Sequence, residues 1–154
     1  MSPSPTERLK SLGLELPPPP PPAGAYAPVV VHGGFAWVAG QIAMESGRVL
    51  NPGRVDQEVP VDVAKGLARR ATLQALSALA HTLGSLDRIE RFLRVAVYVA
   101  TSPGFDRPHE VANGATELLI ELFGEAGRPA RIAVGVADLP LHGAVEVEYF
   151  LAVK

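Results

Sequence analysis

A chain of 154 residues is long enough to bury one hydrophobic core, and its length predicts a single domain. Its 14 basic and 16 acidic residues give a net charge of -2, and the basic residues are scattered, which excludes the charged surface typical of a nucleic-acid-binding protein. The absence of cysteine excludes disulfides and a cysteine nucleophile and is typical of a cytoplasmic protein. Apolar runs are short and Met1-Ser2-Pro3-Ser4-Pro5 lacks the plan of a signal peptide, so we expect neither export nor membrane insertion.

The first 25 residues predict a helix followed by a polyproline segment. Ser4-Pro5-Thr6-Glu7 supplies an N-cap, a proline at the first helical position and a capping glutamate, so a short peripheral helix is expected to end near Gly13. Pro17 to Pro22 form a polyproline II rod that separates this helix from the domain at residues 26–154. We interpret the rod as a rigid spacer lying on the protein's own surface, the alternative being a ligand for a partner module.

Alternating and helical hydrophobic periods predict seven further elements. In chain order these are strands at 29–31 and 35–39, a helix at 60–83, a strand at 89–100, a helix at 106–123, and strands at 131–136 and 144–153. A polar loop at 44–58, with a short strand at 48–50, separates the first hairpin from the first long helix. The order β-β-α-β-α-β-β predicts an α+β domain in which both helices cover one face of one sheet.

The other face of this sheet is predicted to be apolar and uncovered. One face of the strand at 89–100 carries Leu93, Val95, Val97 and Val99, and the other carries Phe92, Arg94, Ala96 and Tyr98. Apolar area on the side away from the helices is contributed by Phe35, Trp37, Phe92, Ala96 and Tyr98. Because large exposed apolar patches mark interfaces, we expect a homo-oligomer with the ligand site where the sheets meet.

Arg131 is the charged residue of an otherwise apolar predicted strand. Side chains alternate across a strand, so Arg131 shares a face with Ala133 and Gly135, whose small size leaves room beside the guanidinium. The opposite face is apolar and consists of Ile132, Val134 and Val136. A guanidinium matches the geometry of a carboxylate or phosphate, so a small acid is the expected ligand.

Two acidic residues of the last strand are candidate partners of this arginine. If the last two strands pair antiparallel with their valines together, Glu146 and Glu148 lie on the same face as Arg131. The sequence does not fix the register, so either glutamate can be the nearer one. The alternative interpretation is a structural salt bridge across the two strands.

The remaining reactive residues show no catalytic spacing. The histidines at 32, 81, 109 and 142 are isolated, which gives no zinc motif. No phosphate loop, dinucleotide fingerprint or serine hydrolase elbow is present, and the three lysines lie in polar or terminal contexts. We therefore expect no zinc site, no nucleotide cofactor and no Schiff-base lysine.

Several motifs together resemble the RidA (YjgF) family of enamine/imine deaminases. They are Gly24-Ala25-Tyr26, Gly40-Gln41-Ile42, Val111-Ala112-Asn113, the strand 131–136 between Pro129-Ala130 and Leu139-Pro140, and Val145-Glu146-Val147-Glu148. The resemblance extends in register from Tyr26 to Val153, and the helix and polyproline segment before it indicate a longer subgroup. This coverage is far more specific than any single motif.

The resemblance implies a chorismate-mutase-like fold and a homotrimer with clefts between subunits. It further implies hydrolysis of 2-imino or 2-enamino acids, such as 2-iminopropionate and 2-aminoacrylate, to 2-keto acids and ammonia, without a cofactor. By position, Arg131 is expected to bind the substrate carboxylate and Glu146 to hold and polarise the attacking water. The positions expected to line or shape the cleft are Tyr26, Gly40, Asn113 and Ala133. The expected partners are a small imino or keto acid and further copies of the chain, with no membrane or nucleic acid.

The chain departs from the family pattern at three positions. Ala39 stands where a serine is common, Ala133 where a cysteine or serine is common, and Gly135 replaces a larger side chain. Two alternatives therefore accompany the deaminase hypothesis. One is a trimeric binding module that senses a small acid without turnover. The other is the endoribonuclease or translation-inhibitor role given to some relatives, which the negative net charge and the lack of paired histidines disfavour.

Overall fold

The computed structural model of the chain describes all residues from 1 to 154 and contains every element that the sequence predicts. The helices and strands are α1 (Pro5–Ser11), β1 (Val29–His32), β2 (Phe35–Ile42), β3 (Met44–Glu45), β4 (Arg48–Val49), α2 (Val61–Leu83), β5 (Ile89–Ala100), α3 (Pro108–Phe123), β6 (Ala130–Val136) and β7 (Val145–Val153). The predicted β-β-α-β-α-β-β order is confirmed, and the small β3-β4 hairpin lies within the predicted loop. None of the helices combines the length and the apolarity that a membrane crossing requires.

Five strands form the main sheet in the order β1-β2-β7-β5-β6. All neighbours are antiparallel except β5 and β6, which are parallel because α3 crosses over between them. The β1-β2 hairpin turns at Gly33 and Gly34, whose φ angles of 60° and 81° are those of the two-residue turn that glycine favours. As predicted, β5 is a central strand.

Helices α2 and α3 cover one face of the sheet and bury the core against it. The side chains of β7 point alternately toward and away from the core, so every second residue from Val145 to Val153 is buried. The two helices approach closely at Gly114, where an added Cβ would lie 2.8 Å from the carbonyl carbon of Lys65. The small residues along α2 and α3 therefore set the spacing of the helical layer.

Helix α1 has the predicted capping box, with Ser4 and Glu7 each bonded to the other's backbone N–H. This helix lies at the periphery, as expected, and is anchored by Leu9, its one buried residue, which joins the hydrophobic core. The backbone and hydroxyl of Thr6 also donate hydrogen bonds of 3.0 and 2.8 Å to Asp87. The first 25 residues therefore pack on the domain rather than extend from it.

Strand β5 contains a bulge that corrects one predicted face. Phe92 pairs with Leu151 and Arg94 with Phe150, so Leu93 is the extra residue between them. Phe92 consequently points into the core, where its ring contacts the rings of Phe123 and Tyr149. The prediction that Phe92 shares the uncovered face with Tyr98 is wrong.

Strand β6 presents the opposite face to that predicted. It lies at the edge of the sheet and pairs only with β5, which separates it from β7. The pairing of Arg131 with the buried Val95 places Arg131 on the side covered by the helices. Ile132 of β6 pairs with Ala96 of β5 and therefore lies on the uncovered side of the sheet. Glu148 of β7 pairs with the same Ala96 and lies on that side too. The predicted antiparallel pairing of the last two strands is therefore wrong.

The uncovered face carries an aromatic cluster. The ring centroids of Phe35, Trp37 and Phe150 lie between 4.7 and 6.5 Å from one another. Phe35 and Trp37 remain 39% and 46% exposed, and Ile132 of the edge strand is 44% exposed. The predicted exposed apolar face is confirmed for Phe35 and Trp37.

Candidate functional site

The sheet and the segment before β1 enclose a pocket of about 470 Å³ that contains three of the predicted site residues. Glu146 comes from β7, Gly40 from β2, and Tyr26 from the end of the polyproline segment. The Tyr26 hydroxyl accepts a hydrogen bond of 3.2 Å from the backbone N–H of Ala23, which fixes the ring at the pocket. We call this site the glutamate pocket, defined by Tyr26, Gly40 and Glu146.

A close approach between Gly40 and Glu146 explains the glycine. A Cβ at position 40 would lie 2.9 Å from the carboxyl carbon of Glu146, so no larger residue fits without displacing the carboxylate. The register between β2 and β7 shifts between Val38 and Gln41, which places Gly40 in a bulge. The side-chain amide of Gln41 donates to the carbonyl of Ala39 at 3.1 Å and stabilises this bulge. The local backbone is therefore shaped around the carboxylate.

The Glu146 carboxylate has no hydrogen-bond donor or cation beside it in the protein. Burial raises the pKa of Glu146, and the negative charge of Glu148 raises it further. The neighbouring Glu148 is engaged differently, because it accepts a hydrogen bond of 2.7 Å from the Tyr98 hydroxyl. Glu146 is therefore the glutamate free to hold a water molecule and to exchange a proton with it.

Replacing Glu148 by glutamine is expected to lower the pKa of Glu146. The change removes the like charge, while the amide oxygen can still accept the hydrogen bond from Tyr98. Titration of the side-chain carboxyl carbons by ¹³C NMR measures this pKa directly, and Glu148→Gln should move the Glu146 midpoint to lower pH. An unchanged midpoint would show that burial alone raises it. Tyr98→Phe serves as the control, since it removes the hydrogen bond and keeps the charge.

Arg131 lies at the other site, between the start of β6 and α3. Its Nη1 donates to Asn113 Oδ1 at 2.7 Å and to Thr116 Oγ1 at 3.1 Å, and its Nη2 donates to the carbonyl of His109 at 3.4 Å. All of these acceptors are uncharged, and no ion pair includes Arg131. The guanidinium is exposed and keeps a positive charge that an anion can neutralise. We call Asn113, Thr116 and Arg131 the arginine cluster.

The sequence prediction placed Asn113 at the site but missed Thr116. The two residues are three positions apart on α3 and therefore share one helix face, which is the signal that could have identified Thr116. The predicted salt bridge is not formed, because neither Glu146 nor Glu148 pairs with Arg131. Asn113 and Thr116 on one face of α3, rather than a carboxylate, orient the guanidinium.

Ala133 and Gly135 do not border an open space beside Arg131. Ala133 packs against the hydrophobic core. At position 135 a Cβ would lie 2.8 Å from the Thr101 hydroxyl, so glycine leaves room for Thr101. The predicted vacancy beside the guanidinium is wrong, because α3 occupies that side of the strand.

Within one protomer the two sites face opposite sides of the sheet. Glu146 pairs with Tyr98 on the uncovered side, whereas Arg131 pairs with Val95 on the helix side. The arrangement brings Tyr26 and Gly40 to Glu146, and Asn113 to Arg131. No three histidine or acidic side chains come together where they could hold a metal ion.

The architecture is that of a mixed α+β domain with a chorismate-mutase-like sheet and a carboxylate pocket. A family model described as "YjgF/chorismate_mutase-like, putative endoribonuclease" matches residues 6–153, and the chain belongs to this family. The match begins at residue 6, so it includes most of α1 and the polyproline segment, which the sequence motifs from Tyr26 onward did not cover.

Individual relatives match over nearly the whole chain. Protein TCP17 of Trypanosoma cruzi is 39% identical over 141 residues, which are 91% of this chain and 88% of that protein. A protein of unknown function from Agrobacterium tumefaciens, Atu1372, is 36% identical with a TM-score of 0.86 and covers 95% of this chain and 89% of its own. A "putative endoribonuclease" from Shewanella oneidensis is 30% identical with a TM-score of 0.93, covering 97% and 99%. The match to the Shewanella protein covers 97% of this chain and therefore includes most of the N-terminal segment.

Proposed function

We propose that the protein is a cofactor-independent cytoplasmic deaminase that hydrolyses reactive 2-imino acids, and their 2-enamino tautomers, to 2-keto acids and ammonia. The observation that carries the proposal is the unpaired Glu146 carboxylate, set against Gly40 in a pocket and holding a raised pKa. A carboxylate with these properties can take a proton from water and return it to a leaving amine. Membership of the YjgF family supports the same chemistry.

The reaction needs one anchor and one acid–base group. Arg131 would bind the substrate carboxylate through its guanidinium, oriented by Asn113 and Thr116. Glu146 would take a proton from water as the water oxygen bonds to C2 and the C=N π electrons move to nitrogen. Glu146 would return this proton to the nitrogen, which gives a carbinolamine. It would then take the proton of the new hydroxyl as the C=O bond forms and pass it to the nitrogen as the C–N bond breaks, which yields the keto acid and ammonia. Positioning and electrostatics suffice for such labile substrates.

The proposal requires two copies of the chain at each site. Because Arg131 and Glu146 face opposite sides of their own sheet, one substrate can meet both only where the Arg131 of one protomer approaches the Glu146 of another. The exposed aromatic cluster and the unpaired edge of β6 supply surfaces for such a contact. We propose a homotrimer, because a head-to-tail contact can close into a ring and the family resemblance implies three subunits.

The test uses imines generated in situ by an amino-acid oxidase in the presence of semicarbazide, which traps the imine as a semicarbazone. We expect the protein to lower the rate of semicarbazone formation and to raise the rate of keto acid release. If neither rate changes while an active family member alters both, the proposal is wrong. Stoichiometric binding of a keto acid without turnover would instead identify a binding module, and cleavage of labelled RNA would identify a nuclease.

A further inference from the structure

The glutamate pocket has an apolar lining that a small substrate does not need. Besides the residues that define it, the pocket is bordered by Pro20–Pro22, Ile42, Met44, Pro140 and Leu141. Its volume is about 470 Å³. A three-carbon imino acid has about six non-hydrogen atoms, which fill less than about half of this volume even at the 30 Å³ of a water molecule. The remaining space can receive the neighbour's Arg131 guanidinium together with a longer substrate side chain.

The amide N–H groups of the two glutamine side chains in the lining are already engaged. The Gln74 amide accepts from the Met44 N–H at 2.7 Å and donates to the Ile42 carbonyl at 2.8 Å. The Gln41 amide donates to the Ala39 carbonyl. The prolines have no N–H to donate. Apart from Glu146, which the reaction uses, and the Tyr26 hydroxyl at the rim, the lining therefore gives a polar substrate side chain few replacements for its hydrogen bonds to water, whereas an apolar side chain needs none.

The polyproline wall is held in place. The Ser77 hydroxyl donates to the carbonyl of Pro17, and Leu14 and Leu16 pack against the core just before it. At its other end the Ala23 N–H is bonded to the Tyr26 hydroxyl. Proline itself fixes φ, so the segment between these anchors has little freedom. Pro20–Pro22 therefore form a rigid wall and not a loose terminus.

Leu141 adds an exposed apolar side chain to the opening. It is 69% exposed and has a φ of 58°, a conformation that a leucine rarely adopts. Asparagine or glycine would occupy this backbone position with less strain. The loop thus keeps a leucine where conformation alone favours a polar residue, which is expected when the apolar side chain has a contact to make.

Building on the proposed deaminase function, we propose that the preferred substrates are 2-imino acids with a large apolar side chain, branched aliphatic or aromatic. Pro20–Pro22 and Leu141 form the subsite that receives this side chain. The N-terminal segment then determines which substrate side chains are accepted, as a rigid wall of the site.

The test compares initial rates on imines generated from leucine, phenylalanine, alanine and glutamine. We expect kcat/KM for the leucine and phenylalanine imines to exceed that for the alanine and glutamine imines by about tenfold or more, as several methylene groups in an apolar pocket allow. Hydrolysis of all four at equal rates, or a preference for the alanine imine, would overturn the inference and leave the deaminase function standing.

Matched variants assign the preference to the wall. The triple variant Pro20→Ser, Pro21→Ser and Pro22→Ser should lower the ratio of leucine-imine to alanine-imine kcat/KM by about tenfold. The double variant Pro18→Ser and Pro19→Ser alters exposed prolines of the same segment that do not border the pocket, and it should keep the ratio. Leu141→Asn, which suits the backbone conformation, should lower the ratio without unfolding the loop. A wild-type ratio in both the triple variant and Leu141→Asn would refute the subsite.

Product binding tests the subsite without the chemistry. By titration calorimetry, 4-methyl-2-oxopentanoate should bind about tenfold or more tightly than pyruvate. If the protein hydrolyses none of the imines, the deaminase proposal is refuted but the subsite is not. If the two keto acids bind with equal affinity, the subsite is refuted whether or not the protein is a deaminase.

Discussion

Replacing Glu146 by glutamine is expected to slow imine hydrolysis by about 10²- to 10⁴-fold, the range contributed by general acid–base catalysis. Glutamine has nearly the same shape and fits beside Gly40, but it cannot accept a proton from water. The loss should fall on kcat rather than on KM, because the proposed carboxylate anchor is Arg131. Steady-state kinetics with oxidase-generated imine measures both constants. Retention of more than about a tenth of kcat would contradict the role of Glu146.

The thermal stability of the same variant provides a control against unfolding. The folded-state pKa of Glu146 is raised above its ordinary value, so ionisation of Glu146 opposes folding at neutral pH and has no effect below the ordinary glutamate pKa. Glu146→Gln removes this charge. We therefore expect the variant to melt at a higher temperature than the wild type at pH 7, and the difference to vanish near pH 4. An inactive but stabilised variant separates a lost proton acceptor from a damaged fold.

Hydrophobic periodicity located the elements of this fold reliably, because each helix and strand buries one regular stripe of side chains. In β7 the alternation from Val145 to Val153 predicts the buried face correctly. Periodicity alone does not say which face of a two-sided strand is inside. In β6 the small residues Ala133 and Gly135 looked like the open face, yet they face the helices because parallel pairing with β5 sets the register.

Local features of the strands, such as bulges, also could not be predicted from periodicity. The bulge at Leu93 reverses the direction of Phe92, and no residue type in that stretch announces it. The sequence likewise could not decide between Glu146 and Glu148, because the decision depends on tertiary contacts. Tyr98 donates a hydrogen bond to Glu148, whereas Gly40 lies beside Glu146. Arg131 and Glu146 could be identified from the sequence because they are charged residues in otherwise apolar strands. Their relative positions could not, because these depend on the order of the strands in the sheet.

Because of this strand order, we expect activity to recover when two differently impaired variants are mixed. Arg131→Ala removes a charged anchor and should lower kcat/KM by about 10- to 100-fold, the equivalent of one charge-assisted hydrogen-bonding partner. Glu146→Gln is impaired for a different reason, the loss of the proton acceptor. If each site takes Arg131 from one protomer and Glu146 from its neighbour, random mixing of the two variants produces some contacts in which both groups are native. About one site in four should then be intact, so activity should recover to roughly a quarter of wild type.

The experiment requires subunit exchange by joint refolding, with native mass spectrometry to show that mixed oligomers form. A variant carrying both substitutions, mixed with either single variant, is the control, because no contact in that mixture pairs a native Arg131 with a native Glu146. If the single variants mix and activity stays at the level of the parents, both groups must serve the same site from within one chain. That outcome conflicts with their pairing to Val95 and Tyr98 on opposite sides of β5. Recovery would instead explain why the open aromatic face and the unpaired edge of β6 persist on each protomer: they bring a neighbour's half of the site into reach.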